Sequence, residues 1–259
     1  MNYEEIKRYW NERAAESKGQ PNATTDDYYM RVIESRQLIN HIRALGTAIG
    51  KVADVGCGDG LTTLAVAGTF PDINFTGLDY SSKMVETAGG RLEKSGLRNV
   101  TFAERDITSD GNDTRFDLVY TTRCLINLPS EDLQRAALSR IRSMLVEGGV
   151  YLMIENFIDG HEEFNRLRRD FGLAEIKIRE HNLFFDDRWL LPFIEDKFEV
   201  VERVNISSPY YVVSRVIYSK LCAQAGTTPN YFDVHHELAS QLPPCGNFGP
   251  VKLVVLRRR

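Results

Sequence analysis

The chain has 259 residues, of which 42% are hydrophobic and 26% charged, with a formal net charge of −4. This is the composition of a globular protein, and its acidic balance excludes the broad basic surface typical of nucleic-acid-binding proteins. No apolar run approaches the roughly 20 residues that span a bilayer, so we expect neither nucleic acid nor membrane as a partner.

The first predicted elements are two helices that precede the sheet. Tyr3, Ile6 and Trp10 recur at helical spacing, and a longer amphipathic pattern follows over about residues 26–45. An N-terminus this charged lacks the apolar core of an export signal. We therefore interpret residues 1–48 as a helical segment in front of the sheet, in a protein expected to be cytoplasmic.

The most informative stretch is residues 52–60, Val-Ala-Asp-Val-Gly-Cys-Gly-Asp-Gly, which lies between an apolar strand and a predicted helix. A strand, a glycine turn and a helix together form the nucleotide-binding corner of a doubly wound sheet. A dinucleotide fingerprint would need its third glycine at position 61, where this chain has Leu61. Asp54 and Asp59 beside the turn suit a cationic ligand better than a pyrophosphate.

The next two strands each lead to a carboxylate. The second strand, residues 74–79, ends in Asp79, close to the offset of roughly 20 residues at which an acid reaches ribose hydroxyls. Ser81 or Ser82 is a suitable N-cap for the helix that follows. The third strand, residues 100–104, is followed by Asp106.

Four further strands complete the predicted sheet, over residues 116–120, 149–157, 198–204 and 251–256. A helix capped by Ser130 precedes the fifth strand, and Gly148 and Gly149 are expected to end it, because glycine commonly ends helices. Asp186 is expected to cap a short helix before the sixth strand.

The segment Asp-Val-Gly-Cys-Gly-Asp-Gly resembles motif I of the class I S-adenosylmethionine-dependent methyltransferases of the small-molecule type. The order of elements over about residues 50–157 is similar to that family. The resemblance implies an α/β fold, a doubly wound, seven-stranded Rossmann-like sheet. It also implies an N-terminal helical lid over residues 1–48, followed by a methyltransferase domain over residues 49–259.

The same resemblance implies S-adenosyl-L-methionine as cofactor and S-adenosyl-L-homocysteine as product. Asp79 would bind the ribose, Asp106 the adenine amino group, and Ile107 would pack near the base. Carried onto this sequence, the family's cofactor contacts are ten residues: Asp54, Gly56, Cys57, Gly58, Asp79, Tyr80, Met84, Asp106, Ile107 and Arg123.

Two insertions, at about residues 158–185 and 206–250, distinguish this chain from a minimal member of that family. Insertions at the carboxyl end of a doubly wound sheet lie where substrate binds, and loops of this length usually carry function. We interpret them as the acceptor pocket; a homodimer interface is the alternative, and the two can coexist. Candidate acceptor contacts are Tyr28, Tyr29, Arg168, Tyr210 and Tyr211.

Simpler interpretations of these contacts stay open. Tyr28 and Tyr29 also fit a half-buried aromatic pair, with Arg31 as a surface charge. Arg168 also fits a charge-balanced exposed helix.

Methyl transfer from a sulfonium is an in-line displacement, and an alcohol acceptor needs a general base to take its proton. Three residues are candidates for catalytic roles. His181 lies beside aromatic residues in the first insertion, and Asn127 follows the fourth strand, where it would orient the acceptor or make a turn contact. Glu155 ends the fifth strand and is expected on the rim of the site.

Four scattered cysteines without metal-ligand spacing predict no metal site and a reducing compartment. The predicted function is methyl transfer to a small-molecule acceptor, most simply a hydroxyl of a sugar or related metabolite in a bacterial pathway. N-methylation of a small amine and a non-catalytic S-adenosylmethionine-binding protein are the alternatives. Leu61 and Asp59 disfavour a nicotinamide dehydrogenase.

Overall fold

The computed structural model describes residues 1–17, 20, 24–109 and 114–259. Its strands are β1 (Lys51–Val55), β2 (Asn74–Asp79), β3 (Val100–Glu104), β4 (Phe116–Thr122), β5 (Leu145–Asn156), β6 (Phe198–Asn205) and β7 (Val251–Arg258). Its α-helices are α1 (Tyr3–Ser17), α2 (Tyr28–Leu45), α3 (Leu61–Ala67), α4 (Ser82–Ser95), α5 (Glu131–Met144), α6 (Ile158–Asp170), α7 (Asp187–Glu195), α8 (Ser208–Tyr211), α9 (Tyr218–Ala225) and α10 (Val234–Ser240). Short 3-10 turns lie at Gly46–Ala48 and Leu125–Asn127, and a π-helical turn, Val212–Ile217, joins α8 to α9.

The strands form one sheet in the order β3-β2-β1-β4-β5-β7-β6. Strands β1 to β5 pair in parallel, and β7 runs antiparallel to both β5 and β6. The strand order reverses between β1 and β4, and such a switch point is where doubly wound sheets bind ligands. The predicted seven-stranded α/β fold is confirmed.

Helices cover both faces of the sheet, which explains why its central strands are apolar on both sides. In β1, Val52 belongs to the core layer shared with α2 and α3, whereas Ala53 belongs to the layer shared with α5 and α7. In β4, Leu118 and Val119 divide in the same way.

Polar side chains begin three of the helices at the predicted positions. Ser81 accepts a hydrogen bond from the backbone N–H of Met84 and caps α4. Ser130 caps α5, and Asp186 caps α7, each through its side-chain oxygen. Such caps satisfy N–H groups that the first helical turn leaves unpaired.

Gly148 and Gly149 do not end α5, so that prediction is wrong. The helix ends at Met144, and both glycines lie within β5. Leu145 is fully buried and pairs with Phe116, and the register then shifts so that Leu118 pairs with Val150. The glycines therefore belong to an irregularity of the strand, in which Gly148 has a φ of 71°.

The segments predicted as insertions contain helices of their own. Residues 158–185 form α6 and an extended stretch, whereas residues 206–250 form α8, the π-helical turn, α9 and α10. Within the described ranges, no helix combines the length and the apolar character that a bilayer crossing requires.

Candidate functional site

A cleft of about 330 Å³ opens at the carboxyl ends of the central strands. Its floor comprises the glycine turn after β1 and the ends of β2, β4 and β5. Helices α1 and α2 form one wall, and the two predicted insertions form the other. This volume is in the range of small-molecule sites.

The glycine turn is so tightly packed that side chains are excluded from it. Gly56, Gly58 and Gly60 have φ values of 75°, 52° and 75°, in the left-handed region that favours glycine. A Cβ at Gly56 would lie 2.1 Å from the Sγ of Cys124. One at Gly58 would lie 2.8 Å from Thr24. Bare backbone is thereby presented to the cleft.

Asp79 fastens this turn to the end of β2. Its two carboxylate oxygens accept hydrogen bonds from the backbone N–H groups of Gly58 and Ser81, each at 2.9 Å. Burial raises the pKa of Asp79 to about 6, although these bonds favour the ionised form. Asp79 is thus a buried anion at the cleft floor near neutral pH.

Asp54 lies in β1, next to the glycine turn. It is fully buried behind the glycine turn, where the hydroxyl of Thr63 donates to it at 2.6 Å, and it is not among the described residues that line the cleft. Burial raises its pKa to about 7. Asp54 therefore holds the first turn of α3, and its direct contact with the cofactor stays a prediction.

Asp106 lines a smaller pocket beside the cleft, which shares Ile107 with it. Tyr3 of α1 donates its hydroxyl to Asp106 at 2.7 Å, and Thr108 donates through both its N–H and its hydroxyl. Burial opposes ionisation, but these hydrogen bonds hold the pKa of Asp106 below its ordinary value. Tyr3 and Ile107, rather than Asp106, line the main cleft.

The other predicted cofactor contacts are at the cleft, and their contact with the cofactor stays a prediction. Seven line the cleft besides Asp79: Gly56, Cys57, Gly58, Tyr80, Met84, Ile107 and Arg123. Tyr80 packs against Tyr3 with ring centroids 5.7 Å apart, and Met84 packs with Trp10. Aromatic rings of α1 therefore cover the end of β2.

Tyr3→Phe removes the hydroxyl that joins α1 to Asp106 but keeps the ring. We expect the affinity for S-adenosylhomocysteine to fall about 3- to 10-fold, the net value of an ordinary hydrogen bond, because the lost bond acts on the nucleoside only through Asp106. Calorimetric titration measures it. Tyr9→Phe on the same helix is the control, and equal affinities of the two variants would contradict a role for the Tyr3–Asp106 bond.

Arg123 follows β4 and forms an ion pair with Glu34 of α2. Its Nε lies 2.6 Å from one carboxylate oxygen, and its Nη2 lies 3.1 Å from the other. Glu34 is 2% exposed. With a φ of 50°, Arg123 is the only described non-glycine residue in the left-handed region, a strained conformation that clusters at functional sites.

A second buried pair joins α2 to the π-helical turn. Arg215 donates to Asp27, the N-cap residue of α2, and to the hydroxyl of Ser214. Tyr210 also donates its hydroxyl to Asp27 and lies 3.0 Å from a ring nitrogen of His236. Burial opposes ionisation, but Asp27 raises the pKa of Arg215 above its ordinary value.

Only one of the five predicted acceptor contacts, Tyr211, lines the cleft. Tyr28 and Tyr29 instead pack edge to face on the outside of α2, and Tyr28 is 51% exposed. Arg168 is buried and donates to the carbonyl groups of Ala174 and Arg215. Tyr210 and Arg168 are buried between elements, whereas Tyr28 faces outward. A direct contact of Tyr28, Tyr29, Arg168 or Tyr210 with the acceptor stays a prediction.

His181 lines the cleft within an aromatic cluster. Its ring stacks on Tyr9 at 4.6 Å and meets the edge of Trp10 at 5.7 Å. A second histidine, His161, also lines the cleft and lies 3.2 Å from the amide of Asn165. Burial lowers the pKa of both imidazoles, so both are neutral at pH 7.

Glu155 is not on the rim, and that prediction is wrong. It is fully buried, and its carboxylate accepts hydrogen bonds from the backbone N–H groups of Cys124, Leu125 and Ile126. Asn127 does line the cleft, but its amide nitrogen donates to the carbonyl groups of Arg123 and Cys124. Both residues shape the turn after β4.

Sequence reasoning did not single out Asp27, Glu34, Arg215 or His161. Three of them lie in the two ion pairs, whose partners are 188 and 89 positions apart. One local signal is present: Asp27, Arg31 and Glu34 fall on one face of a helix. Arg31, for which a surface charge is the simpler interpretation, lines the cleft.

In the described part of the chain, no group of three or more His, Cys, Asp and Glu side chains is arranged to hold a metal ion. The chemistry available in the cleft is that of its neutral imidazoles, buried carboxylates and guanidinium groups.

Comparison with known proteins gives one matching family model, described as a methyltransferase domain, over residues 52–149. A malonyl-[acyl-carrier protein] O-methyltransferase of Paenibacillus sp. is 25% identical over 130 residues, covering 48% of this chain and 46% of that protein. A trans-aconitate 2-methyltransferase of Methylobacterium radiotolerans is 35% identical over 97 residues, covering 38% and 34%. The chain thus spans less than half the length of these curated relatives.

Two solved structures share the fold over nearly the whole chain. The N-methyltransferase NodS from Bradyrhizobium japonicum WM9, in complex with S-adenosyl-L-homocysteine, superposes with a TM-score of 0.57 at 16% identity, covering 99% of this chain and 97% of that one. A DhpI–SAH complex gives a TM-score of 0.56 at 18% identity, covering 98% and 95%.

Proposed function

Since the chain belongs to the class I S-adenosylmethionine-dependent methyltransferases, we propose that it transfers a methyl group from S-adenosylmethionine to a small-molecule acceptor. The observation that carries this proposal is the buried Asp79 carboxylate, held against a side-chain-free glycine turn at the floor of the cleft. An anion beside exposed backbone suits a cationic nucleoside.

The residues around Asp79 fit the cofactor. Gly56 and Gly58 leave room for it at the turn, and Asp79 has further lone pairs with which to accept from ribose hydroxyls. Tyr3, Tyr80 and Ile107 offer apolar surface beside the glycine turn for the base. Asp106, held by the hydroxyl of Tyr3 and lying beside Ile107, stays the proposed contact of the adenine amino group.

Helices α1 and α2 serve in this proposal as a lid, the role expected of residues 1–48. Tyr3 reaches Asp106, and Asn11 accepts from the hydroxyl of Ser81 at 2.7 Å, so α1 is fastened to the cofactor side at two points. A lid excludes water and holds the acceptor in line with the sulfonium.

The bound cofactor supplies an electrophilic methyl group, so the protein needs only to position the acceptor and, for a hydroxyl, to remove its proton. A hydroxyl of a sugar or related metabolite remains our proposed acceptor. The name of the Paenibacillus relative describes O-methylation, which supports an oxygen acceptor. The description of NodS as an N-methyltransferase keeps a small amine as the second candidate.

Transfer of label from methyl-labelled S-adenosylmethionine to a panel of hydroxyl and amine acceptors tests the proposal. Formation of S-adenosylhomocysteine with at least one acceptor supports it. Tight cofactor binding without turnover across the panel would favour the non-catalytic alternative.

His181 is our proposed general base, and its lowered pKa fixes the direction of a pH effect. Only the neutral ring accepts a proton, so kcat should be level above pH 6.5 and fall as the pH drops below that ordinary value. Protonation also costs more in the folded state than in the unfolded state, so stability should decline over the same range.

We expect His181→Gln to lower kcat about 100-fold and to abolish the acidic limb of the pH–rate profile. His161→Gln is the matched control, because that ring is also buried at the cleft wall. An unchanged acidic limb in His181→Gln, or its loss in His161→Gln alone, would move the role of base to His161.

A further inference from the structure

The cleft carries a small excess of positive charge. Six cationic side chains and five carboxylates line it: Arg31, Arg105, Arg123, Lys177, Arg179, Arg215, Asp26, Asp27, Glu34, Asp59 and Asp79. Their sum is +1, whereas the whole chain carries −4. A local field of this sign attracts anions.

We propose that the acceptor carries an oxyanion, a carboxylate or a phosphate, which binds at Arg123 and Arg215 beside Tyr211. This assignment rests on the proposed function, because it takes the part of the cleft at Arg123, Arg215 and Tyr211 as the acceptor side. It narrows the acceptor from small molecules in general to acidic ones.

The side chain of Arg123 is fixed in place by Glu34, before any ligand binds. Its hydrogen bonds and ion-pair contacts with the described residues use Nε and Nη2, both toward Glu34, so the Nη1 edge of the guanidinium faces elsewhere. The strained backbone at Arg123 is maintained by Asn127, whose amide donates to the Arg123 carbonyl at 3.0 Å. Strain maintained in this way indicates selection for the position of the side chain rather than for stability.

The guanidinium of Arg215 is also held in place by several contacts. Asp27 and Ser214 each accept from one of its nitrogens, and the guanidinium lies 4.5 Å from the ring centre of Tyr211 and 5.2 Å from that of Tyr231. It lies on a π-helical turn, a rare conformation that is frequent at functional sites. A fixed guanidinium binds a carboxylate or phosphate with little loss of conformational entropy.

Tyr211 lines the cleft together with both arginines, and its ring centre lies 4.5 Å from the guanidinium of Arg215. Burial raises its pKa, and the charges that act on it are those of Arg215, Asp27, Arg123 and Glu34. Its neutral hydroxyl can donate to an oxyanion that the guanidinium groups hold. Two buried ion pairs add little to stability as such, so a ligand-binding role explains their presence better.

Calorimetric titration of the protein saturated with S-adenosylhomocysteine tests the proposal. The probes are succinate, inorganic phosphate and the neutral isostere succinamide. We expect at least one anion to bind, and succinamide to bind at least about 10-fold more weakly. The anion that binds with the higher affinity identifies the charged group of the acceptor as a carboxylate or a phosphate. Binding of neither anion at about 50 mM, or equal binding of succinamide, would overturn the proposal.

Variants locate the site. Arg215→Gln and Arg123→Gly should each weaken the anion about 10- to 100-fold, the value of one charge-assisted hydrogen bond. Glycine is chosen at Arg123 because it accepts a φ of 50°. Arg203→Gln, which removes the partner of Asp187 outside the cleft, should leave the affinity unchanged. Wild-type affinity in both cleft variants would refute the site.

Two further measurements separate misfolding and failure of the proposed function from failure of this inference. The double variant Arg215→Gln with Asp27→Asn keeps the charge of the pair at zero, and it should lose the anion while retaining affinity for S-adenosylhomocysteine. If the wild-type protein does not bind S-adenosylhomocysteine, the proposed function fails. Titration of succinate, phosphate and succinamide into the protein without nucleoside then tests the proposed anion site independently of the proposed function.

Discussion

Asp79→Ala is expected to lower the affinity for S-adenosylhomocysteine about 100-fold or more. The substitution removes the carboxylate that accepts from the N–H groups of Gly58 and Ser81, and with it the proposed contact to the ribose. One hydrogen bond to a charged group contributes about 1.5–3 kcal/mol, and about 2.7 kcal/mol is a factor of 100 in affinity. Calorimetric titration at pH 7.5 measures the loss.

Asp117→Ala is the matched control for this measurement. Asp117 also accepts two backbone N–H groups, those of Gly50 and Lys51 at 2.8 Å, but it does so at the opposite end of β1. We expect a comparable loss of stability and no change in nucleoside affinity. Wild-type affinity in Asp79→Ala would remove the basis of the proposed function.

Gly56→Ala is expected to destabilise the fold by about 2–5 kcal/mol. The new methyl group would lie 2.1 Å from the Sγ and 2.5 Å from the Cβ of Cys124, and overpacking of this kind costs about 1–3 kcal/mol. The φ of 75° adds about 1–2 kcal/mol for a residue with a side chain. Urea unfolding measures the sum.

Two companion variants separate the contributions. Gly96→Ala tests the backbone alone, because Gly96 has a φ of 73° and no described atom lies within 4 Å of the position that its new methyl group would occupy; it should cost about 1 kcal/mol. Adding Cys124→Gly to Gly56→Ala removes the clash and should restore only the packing part. If Gly56→Ala costs no more than Gly96→Ala, Cys124 does not confine the turn.

The cofactor side of the cleft is predictable because its signals are local in the sequence. The glycine spacing, Asp79 at the end of β2 and the cap at Ser81 each follow from a few neighbouring residues. The acceptor side is not, because its contacts are made between distant segments. Nothing near Arg215 in the sequence indicates that Asp27 will accept its hydrogen bond.

Two of the wrong predictions share a physical cause. Gly148 suits both a helix end and an irregular strand, and only the pairing of Leu145 with Phe116 decides between them. Glu155 does lie near the end of β5, but the sequence does not show that the backbone of the turn after β4 encloses it.

Asp27 and Glu34 are seven residues apart, at the N-cap and within α2, which separates them by two helical turns, or about 10 Å along the axis. Since Asp27 holds the guanidinium of Arg215 and Glu34 holds that of Arg123, α2 sets the spacing between the two guanidinium groups. An acidic molecule long enough to place its oxyanion beside Tyr211 can engage both guanidinium groups together, whereas a shorter one engages a single guanidinium. The length of the acceptor molecule, and not its charge alone, would then decide which acids this cleft selects.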